Sequence, residues 1–189
     1  MSELKVLRAR DYPRMPWKNG SGSTAEITRD AGAGLDGFGW RLSIADIGES
    51  GGFSIFAGYQ RVITVLQGDG MTLCVDGADS RCLLPLDPFA FGGDSRVSCT
   101  LLGGTIRDFN LIYAPQRYNA RLQWLAGEQR FFTCAATVLV FSVSESLGVS
   151  IDGSITQLGL HDCLQLNASS ALVDVAVSAA CCVIELTAR

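Results

Sequence analysis

The basic side chains are the residues best suited to hold a ligand in this sequence of 189 residues. Thirteen of its fifteen basic residues are Arg and two are Lys. Arg offers a planar fork that matches carboxylates, whereas Lys is a point charge on a flexible stem. Lys18 follows Trp17 in a Gly-rich segment, and Arg61 begins an otherwise apolar run that ends at Leu66. These two cations are therefore candidates for contacting an anion.

Alternation along predicted strands adds further polar candidates, because successive side chains of a strand point to opposite faces. Two interpretations stay open for these polar faces: they face water on a half-buried sheet, or they line the mouth of a barrel. The faces are Arg41 with Ser43, opposite Trp40, Leu42 and Ile44; Asp108 with Asn110, opposite Phe109 and Leu111; and Thr24 with Glu26 and Thr28.

The sequence gives little support for a metal site or for a catalytic site with a nucleophilic side chain. His161 is the single histidine, so sites built on two or three imidazoles are excluded, and its neighbours predict a surface turn. Seven cysteines without a C-x-x-C spacing fit neither a disulfide framework nor a zinc site. Cys181 and Cys182 lie in an apolar run, which favours buried, inert thiols over a redox switch. We expect no cofactor.

Residues 20–25 match the dinucleotide fingerprint G-x-G-x-x-A only formally. That fingerprint requires an apolar strand before it and a helix after it, so that the pyrophosphate meets the helix N-terminus. Neither context is present. A flexible loop that carries Trp17, Lys18 and Asn19 is the better interpretation.

The elements that must position these residues are short strands. Glycine makes up 21 of the 189 residues and separates runs rich in Val, Ile, Leu, Thr and Phe, which is typical of an all-β sandwich or barrel. A short helix or turn is predicted near Pro13–Lys18, and the strand pattern breaks near residues 113–119. The predicted units are residues 1–115 and 116–189. The predicted strands are Leu4–Arg10, Thr24–Arg29, Trp40–Ile47, Val62–Leu66, Met71–Val75, Val97–Leu102, Ile106–Tyr113, Ala120–Trp124, Phe131–Val143, Leu147–Ile151, Cys163–Leu166, Leu172–Val177 and Cys182–Thr187.

Composition excludes several classes of protein. A net charge of −4 without a basic run argues against nucleic acid, whose binding depends on phosphate contacts. A hydrophobic content of 48% excludes disorder. The longest apolar stretch, Phe131–Val143, is shorter than the ~20 residues of a membrane-spanning helix. The N-terminus is charged where a signal peptide would be apolar, so we expect a cytoplasmic protein with no membrane partner and reduced thiols.

A set of stretches follows in order across residues 15 to 113: Met15–Gly20, Thr24 with Glu26 and Ile27, Phe38–Ala45, Gly52–Ser54 with Phe56 and Gly58, Arg61–Gly68, Pro88–Asp94 and Arg107–Leu111. In this combination the chain resembles the HutD/Ves family of bacterial proteins.

The resemblance implies a cupin-type fold with two small β-barrels in one chain, a bicupin. It also implies a link to histidine utilisation and a ligand-binding or regulatory role, with ligands such as formylglutamate or urocanate. Most enzymatic cupins hold a metal on histidines, but residues 53–68 contain none. That departure weakens any oxygenase or metal-isomerase interpretation.

We therefore predict a metal-free, cytoplasmic bicupin that binds a small carboxylate metabolite. Two rivals stay open: a metal-independent hydrolase or isomerase with Glu26 or Asp108 as general base, and an interaction protein whose apolar second half packs against a partner. A homodimer is compatible with each. The predicted ligand-binding residues are Lys18 and Arg61 on the carboxylate, Arg41 in support, Trp17 as a flat apolar wall, Asn19 and Asn110 as neutral hydrogen-bond partners, and Asp108 and Glu26 holding arginines in place.

Overall fold

The computed structural model describes residues 3–17, 22–32, 37–168 and 171–189. Within those residues the chain is built from β-strands and one short 3-10 helix, Ala9–Asp11, which confirms the predicted all-β class. No helix in the described ranges is long and apolar enough to cross a membrane. The strands are β1 Glu3–Leu7, β2 Arg14–Pro16, β3 Gly22–Arg29, β4 Trp40–Ile47, β5 Gly51–Gly52, β6 Gln60–Gln67, β7 Met71–Val75, β8 Ala78–Asp79, β9 Phe89–Gly92, β10 Val97–Leu101, β11 Ile106–Tyr113, β12 Tyr118–Leu125, β13 Gln129–Thr133, β14 Thr137–Ser142, β15 Leu147–Ile151, β16 Ser154–Leu158, β17 Cys163–Asn167, β18 Val173–Val177 and β19 Cys181–Ala188.

Three predictions of local structure are wrong. The predicted strand Leu4–Arg10 ends at Leu7, and its last two residues belong to the 3-10 helix. The predicted strand Phe131–Val143 is two strands, β13 and β14, which belong to different sheets. The chain passes between the sheets at residues 134–136, where Cys and two Ala residues give no Gly or Pro signal of a break. The predicted helix or turn near Pro13 is instead an edge strand, since Arg14–Pro16 pairs with β3.

The chain divides into two compact units, Pro13–Gln116 and a second unit that joins Arg117–Arg189 to the described residues up to Tyr12. The sequence placed those first residues in the other unit, 1–115. The pairing of β1 explains the difference, because all five of its residues pair with β17, from Glu3 with Asn167 to Leu7 with Cys163.

The unit Pro13–Gln116, the site unit below, consists of two antiparallel sheets. One has six strands in the order β2-β3-β4-β11-β6-β9, and the other has four in the order β5-β10-β7-β8. Apolar side chains from both sheets form one core cluster, with Ile63 and Val65 from the larger sheet and Leu73 and Val97 from the smaller. This core fixes which face of the six-stranded sheet points inward.

The other unit repeats the two-sheet plan, with strand orders β1-β17-β14-β19-β12 and β13-β18-β15-β16. Its core cluster includes Val140 and Leu164 from the first sheet with Val149 and Val175 from the second. Asp162 holds the N-terminal segment there, because its carboxylate accepts hydrogen bonds from the Arg8 guanidinium and from a backbone amide of the short 3-10 helix.

His161 does lie in a turn, but the predicted surface position is wrong. Its side chain is buried, at 7% exposure, and its ring stacks on Phe141 with a centroid separation of 5.6 Å. Its backbone lies in the left-handed region at φ 64°, and its amide donates to the Ser142 carbonyl. The turn therefore folds the imidazole back onto the sheet.

Thiol reactivity should follow burial. We expect Cys82 and Cys134, which are exposed, to react rapidly with a disulfide reagent in the native protein. The buried cysteines should react only after unfolding, because burial raises the pKa of each of their thiols. They are Cys99, Cys163, Cys181 and Cys182. Time-resolved labelling followed by peptide mass spectrometry measures this, and rapid native labelling of Cys181 or Cys182 would contradict it.

Candidate functional site

The polar side chains predicted on β4, β6 and β11 share the inward face of the six-stranded sheet. Directly opposite residues of an antiparallel pair project to the same side. In one row Arg41, Ile112 and Arg61 lie opposite one another, and in the next row Ser43, Asn110 and Ile63 do so. Asp108 follows in the third row, between Ala45 and Val65.

The interpretation of these faces as facing water is wrong. Arg41, Arg61, Asp108 and Asn110 are all buried, on the face that also carries core residues such as Val65. The opposite face is equally buried, and the sheet therefore lacks the polar-out alternation that the sequence suggested. Burying charged groups is costly unless they are paired, so the arrangement of their partners is informative.

Arg61 lies in a cage of three phenylalanine rings. The centre of its guanidinium is 5.3 Å from the ring of Phe53, 5.5 Å from that of Phe56 and 5.0 Å from that of Phe91. A cation within about 6 Å of a ring face is attracted by the ring's quadrupole. Sequence reasoning missed this cage; Phe91 pairs directly with Arg61 across β9 and β6, a register that only the structure supplies.

The Arg61 guanidinium is incompletely satisfied. Nη1 donates to the Ser54 carbonyl at 3.2 Å, and Nη2 donates to Asn110 Oδ1 at 3.0 Å. Nε is buried and has no hydrogen-bond partner in the described part of the chain. Burial lowers the pKa of Arg61 to about 10, so the side chain is still charged at neutral pH. Its predicted place near an open mouth is corrected to a buried one, with 5% of the residue exposed.

Asp108 reaches Arg61 through Asn110 rather than directly. Asn110 Nδ2 donates to Asp108 Oδ1 at 2.8 Å, while Asp108 Oδ2 is buried with no partner among the described residues. Burial raises the pKa of Asp108 to about 7, against the opposing effects of the Arg61 charge and the Asn110 hydrogen bond. The structure thus links Arg61, Asn110 and Asp108 into one buried chain, the RND chain below.

Glu26 forms a second cluster on the same sheet. Its carboxylate accepts a hydrogen bond from Arg41 Nε at 2.8 Å and is paired by Arg29 as well. Partial burial raises the pKa of Glu26, but hydrogen bonds from Arg29 and Arg41 outweigh this effect and lower the pKa below its ordinary value. Glu26 therefore does hold an arginine, as the sequence suggested, but a second arginine that was not singled out shares it.

Trp17 borders a cavity of about 130 Å³. Its indole Nε1 donates to Thr24 Oγ1 at 2.9 Å, which fixes the ring beside β3. Phe53 lines the same cavity and its ring also lies beside the Arg61 guanidinium, so this residue is common to the cavity and the cage. The remaining lining residues are Ile47, Glu49, Ser50, Gly51, Gly52 and Cys99.

Six of the eight predicted site residues lie in the site unit in three groups, which are the RND chain, the pair of Glu26 and Arg41, and Trp17 at the cavity. Lys18 and Asn19 lie outside the described residues. Across the described ranges no group of three or more His, Cys, Asp or Glu side chains is placed to hold a metal ion. The assignment of a ligand-binding role to each residue stays a prediction.

The fold has known counterparts. A cupin 2 conserved barrel domain protein from Leptotrichia buccalis matches with a TM-score of 0.57, covering 93% of this chain and 92% of that one at 10% identity. At that identity the likeness concerns the fold alone. The chain is an all-β protein of cupin-like fold.

Closer relatives identify its family. The sequence model of the HutD family matches residues 9–183. A Pseudomonas putida protein described as an uncharacterized 21.2 kDa protein in the hutC 3' region is 65% identical, over the full length of both chains. The structure of HutD from Pseudomonas fluorescens SBW25, in a formate condition, matches with a TM-score of 0.91 at 67% identity and covers 99% of this chain and 100% of that one. The chain belongs to the HutD family, which confirms the predicted resemblance.

Proposed function

We propose that this protein binds a small carboxylate metabolite of histidine degradation, such as formylglutamate or urocanate, and acts as a sensor or regulator of histidine utilisation. The observation that carries the proposal is Arg61. A buried guanidinium with an unused donor, held in an aromatic cage, is a binding group for a planar anion. Family membership and the relative named for its place beside hutC support histidine utilisation as the setting.

The cavity beside Phe53 supports a route for the ligand. Phe53 follows the two-residue strand β5, whose glycines are exposed, and a side chain at Gly51 would project into open space. Rotation of the Phe53 ring would join the cavity to the guanidinium. Trp17 would then supply an apolar wall for the carbon skeleton of the ligand.

Replacing Arg61 by Ala should weaken carboxylate binding about ten- to a hundredfold. A hydrogen bond to a charged group contributes roughly 1.5–3 kcal/mol net, and 1.4 kcal/mol corresponds to about tenfold. Arg61→Lys should recover only part of the affinity, because the planar fork is lost. Calorimetric titration with formylglutamate and urocanate, alongside thermal melts, measures both effects.

Arg81→Ala is the matched control. Arg81 also lies over a phenylalanine ring, that of Phe89, but it is exposed and paired with Asp87. It should leave affinity unchanged. Tight binding by wild type with no loss in Arg61→Ala would remove Arg61 from the site, and absence of binding by wild type at millimolar ligand would overturn the proposed function.

A second candidate function is a metal-independent hydrolase or isomerase of such a metabolite. Asp108 favours it, because a carboxylate with a pKa of about 7 and a free oxygen is suited to general-base catalysis. Glu26, the other predicted base, is held by two arginines and is a poor acceptor of a proton. Incubation with the pathway intermediates separates the two functions, since an enzyme turns them over and a sensor binds them unchanged.

A further inference from the structure

The RND chain poses a question of charge balance. Arg61 is a buried cation, and a buried cation needs an anion nearby. Of the described side chains, Asp108 is the carboxylate linked to it, and the link runs through one amide. When the site is empty, an ionised Asp108 makes the pair Arg61 and Asp108 neutral overall.

Asn110 suits a relay between these two groups. A guanidinium only donates hydrogen bonds, and an ionised carboxylate only accepts them. The amide satisfies both, since its oxygen faces Arg61 and its nitrogen faces Asp108. A change of charge at one end of the RND chain therefore alters the electrostatic energy of the group at the other end, through a fixed, buried contact.

We propose that a ligand carboxylate replaces Asp108 as the counter-ion of Arg61, and that Asp108 takes up one proton as the ligand binds. This inference rests on the proposed function. The charges balance: Arg61 with ionised Asp108 sums to zero, and Arg61 with the ligand carboxylate and neutral Asp108 also sums to zero. The proton comes from solvent and ends on an oxygen of Asp108, where Oδ2 is free of hydrogen bonds to the described residues.

The surroundings favour this exchange. Burial is the main influence on Asp108, and its pKa of about 7 places it where a modest change of field shifts its charge at physiological pH. Cancelling the Arg61 charge with a ligand removes the largest influence that favours the ionised form. Among the described residues, the charged or titratable groups around Asp108 are Arg61 on β6, Arg41 and Asp46 on β4, Glu26 on β3, Arg107 on β11 and Cys99 on β10.

Glu26, Asp46 and Cys99 do not change their protonation state between pH 6 and pH 8. Glu26 and Asp46 have lowered pKa values because arginines bind them, and the Cys99 thiol has a raised pKa because of burial. His161, the single histidine, lies in the other unit. A pH dependence of binding in this range therefore reports on Asp108.

The experiment is calorimetric titration with formylglutamate, whose carboxylates are ionised throughout this range. Wild-type affinity should fall about tenfold from pH 6 to pH 8, because a proton must be taken up at the higher pH. At pH 8 the heat measured in two buffers of different ionisation enthalpy should give an uptake approaching one proton. At pH 6 the uptake should be close to zero, since Asp108 is already protonated.

Asp108→Asn should bind with the same affinity at pH 6 and pH 8, and should bind more tightly than wild type at pH 8. Asp46→Asn is the control, since it removes a carboxylate from the neighbouring strand and leaves Asp108 in place. The loss of affinity on raising the pH should remain, with its midpoint at a somewhat lower pH, because the Asp46 charge raises the pKa of Asp108. Binding by wild type at pH 8 without proton uptake would overturn the exchange and leave the proposed function standing. No binding at either pH would overturn both, and the buffer comparison needs no variant to fold.

Discussion

Replacing Asp108 by Asn is expected to change the pH dependence of folding stability more than any other single substitution in the site. The folded pKa of Asp108, about 7, is above its ordinary value of 3.8, so the folded protein binds more protons than the unfolded chain between these values. Wild-type stability from this group therefore falls as pH rises through that window, by about 1.4 kcal/mol per pH unit, and levels off above it. An Asn at this position carries no such dependence.

The measurable quantity is the difference in unfolding free energy between variant and wild type. From pH 5 to pH 7 this difference should shift in favour of Asp108→Asn by about 1.4 kcal/mol per unit, and it should be flat from pH 8 upward. Urea unfolding followed by circular dichroism and tryptophan fluorescence at several pH values gives it directly. The pH-independent part of the difference in unfolding free energy does not test the assignment, because the new amide also changes the hydrogen bonds to Asn110.

Asp46→Asn provides the opposite case. Asp46 is paired with Arg14 and Arg107, and their hydrogen bonds lower its pKa. It is ionised in both folded and unfolded states from pH 5 upward, so its removal should cost a constant amount of stability there. A difference for Asp46→Asn that slopes as steeply as the one for Asp108→Asn, or a flat one for Asp108→Asn, would contradict the assignment of the buried proton to Asp108.

The sequence was informative wherever strand alternation decided the answer. The bounds of Trp40–Ile47, Met71–Val75 and Ile106–Tyr113 are as predicted, because each run alternates clearly or is bounded by Gly or by charged residues. The same alternation correctly placed Asp108 and Asn110 on one face. Strands of two to four residues, such as β5 and β8, are too short to carry a pattern and were missed.

Strand alternation does not predict whether a face of the sheet contacts solvent or the protein interior. The sequence left open whether Arg41 and Asp108 face water, since an amphipathic pattern is the same for a solvated face and for a polar interior. The RND chain depends on the register between two strands, β6 and β11, in which Asp108 pairs with Val65 and Ile112 pairs with Arg61. Long-range pairing of this kind also moved β1 into the unit formed by the C-terminal strands.

The Phe cage shows the same limit. Phe53, Phe56 and Phe91 were visible in the sequence only as apolar residues near glycines, and nothing in their spacing predicts that they surround one arginine. Their convergence depends on a close backbone approach at Gly93. The Gly93 amide donates to the Tyr59 carbonyl at 2.7 Å, and the Gly93 carbonyl accepts from the Phe56 amide at 2.8 Å.

Replacing Gly93 by Ala is accordingly expected to destabilise the site unit by about 2–3 kcal/mol, the range for forced overpacking with loss of backbone hydrogen bonds. A Cβ at this position would overlap the Phe56 carbonyl oxygen and lie 2.8 Å from the Tyr59 carbonyl oxygen. Both are backbone atoms, so the strain cannot be relieved by rotating a side chain. The loop that carries Phe56 must shift, and one wall of the Arg61 cage shifts with it.

Gly104→Ala is the matched control, because a Cβ there meets nothing within 4 Å. It should change the unfolding free energy by less than about 0.5 kcal/mol, as surface substitutions usually do. Carboxylate affinity separates the two consequences of Gly93→Ala: measured at a temperature where the variant is fully folded, it should still fall, since the cage that orients Arg61 is displaced. If Gly93→Ala has the same unfolding free energy as wild type, the loop shifts without loss of stability, which would contradict the prediction. Wild-type affinity in a destabilised variant would show that Phe56 does not help to position the guanidinium.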